Sequence, residues 1–235
     1  MKIAAVCCTY LRPKSLGQMI YCFLQQDYEH RELVIVDDAG QYDGQQGDRW
    51  RLVSVERRFP SLGEKRNAAA ALVSEDVEAL AVWDDDDGYL PWALRASVAA
   101  LQQADWSRPS LVLHAQVDGT LRQRRTGGLF HGGWAYRRAA FARLGGYPPI
   151  NNGEDRGLAQ RLQRAGVRQA DPCQLGFRPF YVYGWGRGWH LSGMGPLGYR
   201  RLGGLRGERV PLCIAPPPID LHEPRILEGI HARAF

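Results

Sequence analysis

The chain has 235 residues, 45% of them hydrophobic and 23% charged, ordinary values for one large globular domain, or one domain with a small annex. Mean hydropathy is −0.36, and no apolar run approaches the ~20 residues of a membrane span, which excludes a transmembrane protein, a coiled coil and a disordered chain as classes. The formal net charge is +5, but no long Lys/Arg block interleaves with aromatics, so nucleic acid is not an expected partner.

The opening residues MKIAAVCCTYLRPKS lack a small-residue cleavage site and read as a first strand, not a secretory signal. Lys2–Cys8 is a short apolar run, the mark of a buried strand. Pro13 and Ser15 open a helix with Leu16, Met19, Ile20, Phe23 and Leu24 at helical spacing. Glu32–Val36 is a second buried strand, and Leu52–Val55 a weaker third. Gly63 to Val73 reads as a helix with an alanine-rich face. Ala79–Trp83 is a fourth strand, and Pro91 opens a helix to about Gln103. This βαβ series predicts a parallel sheet covered on both faces.

The second half changes character. Leu111–Ala115 and Leu121–Arg125 read as strands, Tyr136 to Leu144 as a short helix, and Gly145-Gly146-Tyr147-Pro148-Pro149 as a turn. Glu154–Ala165 is helical. From Gly176 to Gly204 the chain is glycine-rich and reads as loop, and Pro211 to Phe235 as an extended arm.

Lys2, Lys14 and Lys65 are the only lysines among 30 basic residues. Codon bias explains this excess of arginine as readily as phosphate recognition, which suits the guanidinium fork. Five cysteines without a CxxC argue against zinc and for a reducing cytoplasm.

In open α/β sheets, ligands bind outside the carboxyl ends of the strands. Thr9-Tyr10-Leu11-Arg12-Pro13 follows the first strand, Asp37-Asp38 the second and Asp84-Asp85-Asp86-Asp87 the fourth. These groups should converge on one crevice. Four successive carboxylates repel one another, and after an apolar strand they lie near a low-dielectric edge. A hard divalent cation, Mg2+ or Mn2+, would relieve that repulsion together with substrate phosphates. The competing reading is a solvated acidic turn with Asp87 capping a helix. Asp37-Asp38 reads either as a strand-terminal Asx turn or as an acceptor for a base N–H or ribose hydroxyl. Arg66 reads either as an exposed helix residue or as a reach toward a pyrophosphate. Asn67 is placed to tie loops together.

Taken in order, five motifs resemble the family 2 glycosyltransferases of the GT-A fold. They are Cys8-Thr9-Tyr10-Leu11-Arg12-Pro13, Val36-Asp37-Asp38, Leu62-Gly63-Glu64-Lys65-Arg66-Asn67, Trp83-Asp84-Asp85-Asp86-Asp87-Gly88, and Gly145-Gly146-Tyr147 with Gly153-Glu154-Asp155. The resemblance covers roughly residues 1–165. It implies an α/β GT-A (Rossmann-like) single domain, with a mixed, mostly parallel central sheet flanked by helices. A glycine-rich C-terminal lid and an extended arm complete the expected fold. Residues 1–205 would form the glycosyltransferase domain, its nucleotide-binding half about 1–105 and its acceptor half about 106–205. Residues 206–235 would be an extension packing on it.

The resemblance also implies a nucleotide-diphosphate-sugar donor, a divalent metal and inversion at the anomeric carbon. Thr9, Tyr10 and Arg12 match the first nucleotide-contacting loop. Asp37 matches the base-binding aspartate, with Asp38 beside it. Arg66 matches the arginine near base and phosphates. The DxD motif maps to Asp84-Asp85-Asp86, with Asp86 facing the metal and Asp84 the ribose or donor sugar. Asp155 matches the general base, with Glu154 as its neighbour on the acceptor or lid side. One departure is Val73-Ser74-Glu75-Asp76-Val77, which stands where the family often has a small Ala-x-Gly turn. Beyond residue 165, Trp185 and Trp189 read as lid aromatics or as cover for a sheet edge. His190 is the candidate later metal ligand, and His114, His131, His222 and His231 read as structural or surface.

The expected function is therefore metal-dependent inverting sugar transfer, using Mn2+ or Mg2+, in the cytoplasm. The net charge permits peripheral association with the inner membrane surface. A UDP-sugar is the first expectation for the donor, with GDP- and dTDP-sugars next. The acceptor is a glycan, a lipid-linked molecule or a small molecule. A sugar-phosphate nucleotidyltransferase, or a non-catalytic nucleotide- or glycan-binding module, is the alternative.

Overall fold

The computed structural model describes residues 1–184 and 209–227. In chain order the elements are β1 (Ile3–Thr9), α1 (Pro13–Leu24), β2 (Arg31–Asp37), β3 (Gln45–Gly47), β4 (Trp50–Ser54), α2 (Leu62–Ala71), β5 (Ala79–Val82), β6 (Gly88–Tyr89) and α3 (Ala93–Leu101). Then follow β7 (Trp106–Ser107), β8 (Leu111–Ala115), β9 (Leu121–Arg125), β10 (Ala135–Arg137), α4 (Arg138–Arg143), α5 (Glu154–Arg164), β11 (Gln169–Ala170), β12 (Tyr181–Tyr183) and β13 (Ile226–Leu227). They build a mixed eight-stranded sheet, β11-β7-β10-β5-β1-β2-β4-β3, and a five-stranded sheet, β13-β9-β8-β12-β6. None of the described helices is long and apolar enough to cross a membrane.

Strand alternation explains the two-sided cover. Ile3, Ala5 and Cys7 of β1 face Leu16, Met19, Ile20 and Phe23 of α1 and Leu94 of α3. Ala4 and Val6 face the opposite layer, with Ala70 of α2, Phe141 of α4 and Leu158 and Leu162 of α5. Burial on both faces is why β1, β2 and β5 read as unbroken apolar runs. Each fully buried Leu, Ile, Phe or Met contributes about 1.5–3 kcal/mol. Pro13 starts α1, where a missing N–H costs nothing.

β1 pairs in parallel with both β2 and β5. The chain leaves β1 through α1 to β2 on one side and returns through α2 to β5 on the other. The strand order therefore reverses at β1, and its carboxyl end opens the crevice where such sheets bind ligands.

Several elements differ from expectation. Tyr136 is strand, not helix: β10 lies antiparallel between β5 and β7, and helix α4 starts only at Arg138. Two strong neighbours override local propensity there. The helix after Pro91 spans only Ala93–Leu101, so Asp87 lies well before it and does not cap it. Two-residue strands such as β6, β7 and β13 carry no periodicity to read. The five-stranded sheet itself was not expected, although its strands β8 and β9 were. Just before the arm, Val210 N–H donates to the Gln41 carbonyl at 3.2 Å, and in its described part β13 pairs with β9. Trp185, Trp189, His190 and His231 lie outside the described residues.

Candidate active site

The carboxyl ends of β1, β2 and β5 meet as anticipated, through side chains that bond across the crevice. Thr9 Oγ1 donates to Asp85 Oδ2 at 2.7 Å. Arg12 Nη1 donates to Asp85 Oδ1 at 2.7 Å and to Asp86 Oδ2 at 2.8 Å. One guanidinium thus gathers the two carboxylates that would otherwise repel. Burial alone would lower the Arg12 pKa, but Asp85 and Asp86 more than offset it, and the group is held firmly charged.

Asp84 and Asp87 turn to other partners. Asp84 Oδ1 accepts from Arg66 Nη2 at 3.0 Å, and the Asp84 N–H donates to Tyr89 Oη at 2.7 Å. Tyr89 stacks on Trp83 with ring centroids 3.6 Å apart, which fixes the turn after β5. Asp87 accepts from the Tyr181 hydroxyl and from Gly184 N–H at 3.4 Å. Burial, then the Asp87 charge, pushes the Tyr181 phenol well up, so it remains a donor.

The second strand end divides its two aspartates. Asp37 is fully buried and accepts from Ala39 N–H at 3.1 Å, Gln41 N–H at 2.9 Å and Ser54 Oγ at 2.7 Å. Its carboxylate builds the loop, as the Asx-turn reading describes. Asp38 is equally buried but has other partners. It accepts from Lys65 Nζ at 2.5 Å and from Phe59 N–H at 3.2 Å, and Arg58 Nε lies 3.5 Å from it. The Arg58 guanidinium stacks 3.7 Å from the Tyr10 ring centroid. Tyr10, Arg58 and Asp38 thus form one wall.

Helix α2 delivers the cations. Ser61 Oγ accepts from Glu64 N–H at 3.2 Å and donates to Glu64 Oε2 at 2.7 Å, a capping interaction that sets its first turn. Lys65, only 2% exposed, then reaches inward to the Thr9 carbonyl at 2.5 Å as well as to Asp38. It clamps the first strand end to the second. Sequence reading passed over Lys65 in favour of Arg66. The available signal was a lysine at a helix start in a chain that otherwise prefers arginine.

Arg66 is not an exposed helix residue. Besides Asp84, its Nε lies 3.3 Å from Glu154 Oε1. Glu154 is itself buried and is an internal partner of Arg66. Burial raises the Glu154 pKa, with Arg66 opposing. Asp155, next in the first turn of α5 after Gly153 with φ +82°, is half-buried. It accepts from the Arg156 N–H at 2.7 Å.

Close backbone approach brings α5 to α2. A Cβ on Gly63 would stand 1.9 Å from the Pro148 carbonyl oxygen, and Gly63 N–H donates to the Ile150 carbonyl at 3.1 Å. Asn67 ties the same turn as expected, exchanging 2.9 Å bonds with the Tyr147 backbone N–H and carbonyl. Beneath, Tyr147 Oη lies 3.0 Å from His131 Nε2. Burial, then Arg66, pushes the His131 pKa down to about 3, so its ring is neutral.

The donor set fits a hard divalent cation only in part. Asp85 and Asp86 offer adjacent carboxylate oxygens, but no group of three or more His, Cys, Asp or Glu is arranged to hold a metal among the described residues. Such a set suits an ion that takes further oxygens from a bound diphosphate.

Residues 5–145 match the model of Glycosyl transferase family 2. Comparison with curated protein sequences found no match. Among solved structures, Staphylococcus aureus TarS 1-349 aligns with TM-score 0.56 and 15% identity over 77% of this chain and 60% of that one. The complex of TarS 1-349 with UDP-GlcNAc gives 0.54 and 15% over 77% and 58%. The mannosyltransferase PcManGT from Pyrobaculum calidifontis, in complex with GDP-Man and Mn2+, gives 0.55 and 17% over 73% and 54%. The chain therefore spans 60% or less of the length of these neighbours, and the likeness is one of GT-A fold.

Proposed function

The chain belongs to glycosyl transferase family 2 and is a glycosyltransferase, and we propose that it transfers a sugar from a nucleotide-diphosphate-sugar to an acceptor hydroxyl with inversion at the anomeric carbon. The observation that carries this is the gathering of Thr9, Arg12, Asp84, Asp85 and Asp86 at the strand-order reversal, with Arg66 linking Asp84 to the helix that bears Asp155.

The donor lies along the carboxyl ends of β1 and β2. Tyr10 and Asp38 form the wall toward the base, and Arg12 is the cation closest to the diphosphate. A UDP-sugar is the first choice, in keeping with the UDP-GlcNAc bound by TarS, and a GDP-sugar the second, in keeping with PcManGT. Asp86, with Asp85, would hold Mn2+ or Mg2+ together with the diphosphate, and His190 would complete the set. The ion, when bound, neutralises charge on the departing nucleoside diphosphate. Asp155 takes the proton of the acceptor hydroxyl as that oxygen attacks the anomeric carbon. The bond from that carbon to the phosphate oxygen breaks on the opposite face.

Residues 1–205 act as the catalytic domain and 206–235 as an extension on it, a reading supported by the contacts of Val210 and β13. The activity is placed in the cytoplasm, with the net charge of +5 favouring an anionic membrane surface.

Calorimetry with UDP, GDP and dTDP, each with Mn2+ and with chelator, tests the reading. One nucleoside diphosphate should bind, and chelation or Asp86→Asn should weaken it at least about tenfold. Equal affinity with and without the ion would remove the metal, and no binding by any of the three would remove the donor.

A further inference from the structure

β9 carries Arg122, Arg124 and Arg125 within five residues. Alternation puts Arg122 and Arg124 on one face, opposite His114 and Val112 of β8 respectively. That face continues across the sheet. Tyr183 of β12 pairs with His114, and Tyr181, on the same face as Tyr183, bonds Asp87. In strand order β9-β8-β12-β6, one strip runs from the acidic cluster to the two arginines. Three strand spacings make it roughly 14 Å long.

Three features set the strip apart. Arg122 Nε, Arg124 Nε and His114 Nε2 are buried without a hydrogen-bond partner, and neither arginine has an acidic partner among the described residues. Nε is likewise unbonded in Arg31, Arg66 and Arg108, but there the terminal nitrogens are engaged, by Asp84 for Arg66 and by backbone carbonyls for Arg31 and Arg108. No such bond is made by Arg122 or Arg124 among the described residues. Two aromatic rings then border His114. Its ring centroid lies 5.5 Å from that of Phe130 and 5.2 Å from that of Tyr183, and those two rings lie 5.0 Å apart. Finally, Phe130 adopts φ +65°, a backbone region that bulky residues avoid and that recurs at binding sites.

Burial, then the Arg124 charge, pushes the His114 pKa down to about 4. His114 is thus neutral near pH 7, and the positive charge of the strip resides on the arginines. Two guanidinium groups match the nearly double charge of a phosphate monoester better than one carboxylate. Aromatic rings beside them offer apolar faces to a sugar.

We propose that this strip is an acceptor subsite for a phosphorylated saccharide, with Arg122 and Arg124 on the phosphate and Phe130 and Tyr183 against the sugar. The proposal rests on the glycosyltransferase reading above and deepens it by giving the acceptor a chemical class.

Calorimetry on the full chain tests it with the 6-phosphates of glucose, galactose, mannose and N-acetylglucosamine beside the parent sugars, glucuronate and inorganic phosphate. At least one sugar phosphate should bind about tenfold or more tighter than its parent sugar, than glucuronate and than inorganic phosphate. The double variant Arg122→Gln/Arg124→Gln should erase that preference and leave nucleoside diphosphate affinity unchanged. The wild-type comparison needs no variant, so a misfolded variant leaves the test intact. Equal affinity for phosphorylated and parent sugars, or for glucuronate, overturns the subsite. So does loss of nucleoside diphosphate affinity in a folded double variant, which would assign the arginines to the donor. Failure of wild-type protein to bind any nucleoside diphosphate counts against the donor reading instead, and the two failures are read separately.

Discussion

Arg66 Nε lies 3.3 Å from Glu154 Oε1, while Nη2 of the same guanidinium donates to Asp84 at 3.0 Å. One buried cation therefore joins the end of β5 to the first turn of α5. Removing one partner of such a pair leaves an uncompensated buried charge, a loss of about 3–5 kcal/mol. Arg66→Ala should show that loss in urea unfolding, whereas Glu154→Gln, which keeps a polar acceptor, should lose less. A change below about 1 kcal/mol for Arg66→Ala would mean that the bridge is solvent-screened.

Gly63 is the point where α2 and the turn before α5 touch. A methyl group there meets the Pro148 carbonyl oxygen at 1.9 Å, a backbone atom that cannot swing aside. Gly63→Ala should destabilise by about 1–3 kcal/mol, the usual scale of overpacking. It should lower kcat more than it weakens nucleoside diphosphate binding, because the shift separates α5 from the strand ends. Thermal unfolding and calorimetry on the same preparation check both halves.

Asp155→Asn removes the proton acceptor at nearly constant volume. Turnover should fall about 10²-fold or more with donor affinity nearly intact, the scale of general-base catalysis. NMR of the product should show the anomeric configuration inverted relative to the donor. Retention, or near-normal turnover of the variant, assigns the base elsewhere.

His131 is held neutral in the fold, its pKa pushed down from 6.5 to about 3 by burial and then Arg66. The unfolded chain takes up this proton below about pH 6.5 and the folded chain does not. The stability that His131 contributes is therefore present above that pH and lost as pH falls toward 3, at up to about 1.4 kcal/mol per unit. Unfolding free energies measured from pH 7 to pH 4 should fall more steeply for the native chain than for His131→Phe. Equal slopes would show that the ring takes up its proton in the fold.

The parallel strands β1, β2 and β5 and the polar groups that follow them were evident from the sequence. A strand buried on both faces must be written as an unbroken apolar run, and a polar cluster directly after it can only lie at a sheet edge. Helix α2 was visible through its alanine-rich face, and the turn at Gly145-Gly146-Tyr147 through glycine chemistry. What each acid touches was not. Asp37 and Asp38 are adjacent and chemically identical, yet one closes a loop onto Ser54 while the other meets Lys65. Arg66 and Glu154 find each other across 88 residues of chain because Gly63 lets two backbones approach. Tyr136 became strand because β5 and β7 flank it. Local sequence specifies backbone propensity and burial pattern, which act over a few residues. The pairing of buried charges is decided by packing between distant segments, and only the tertiary structure brings those together.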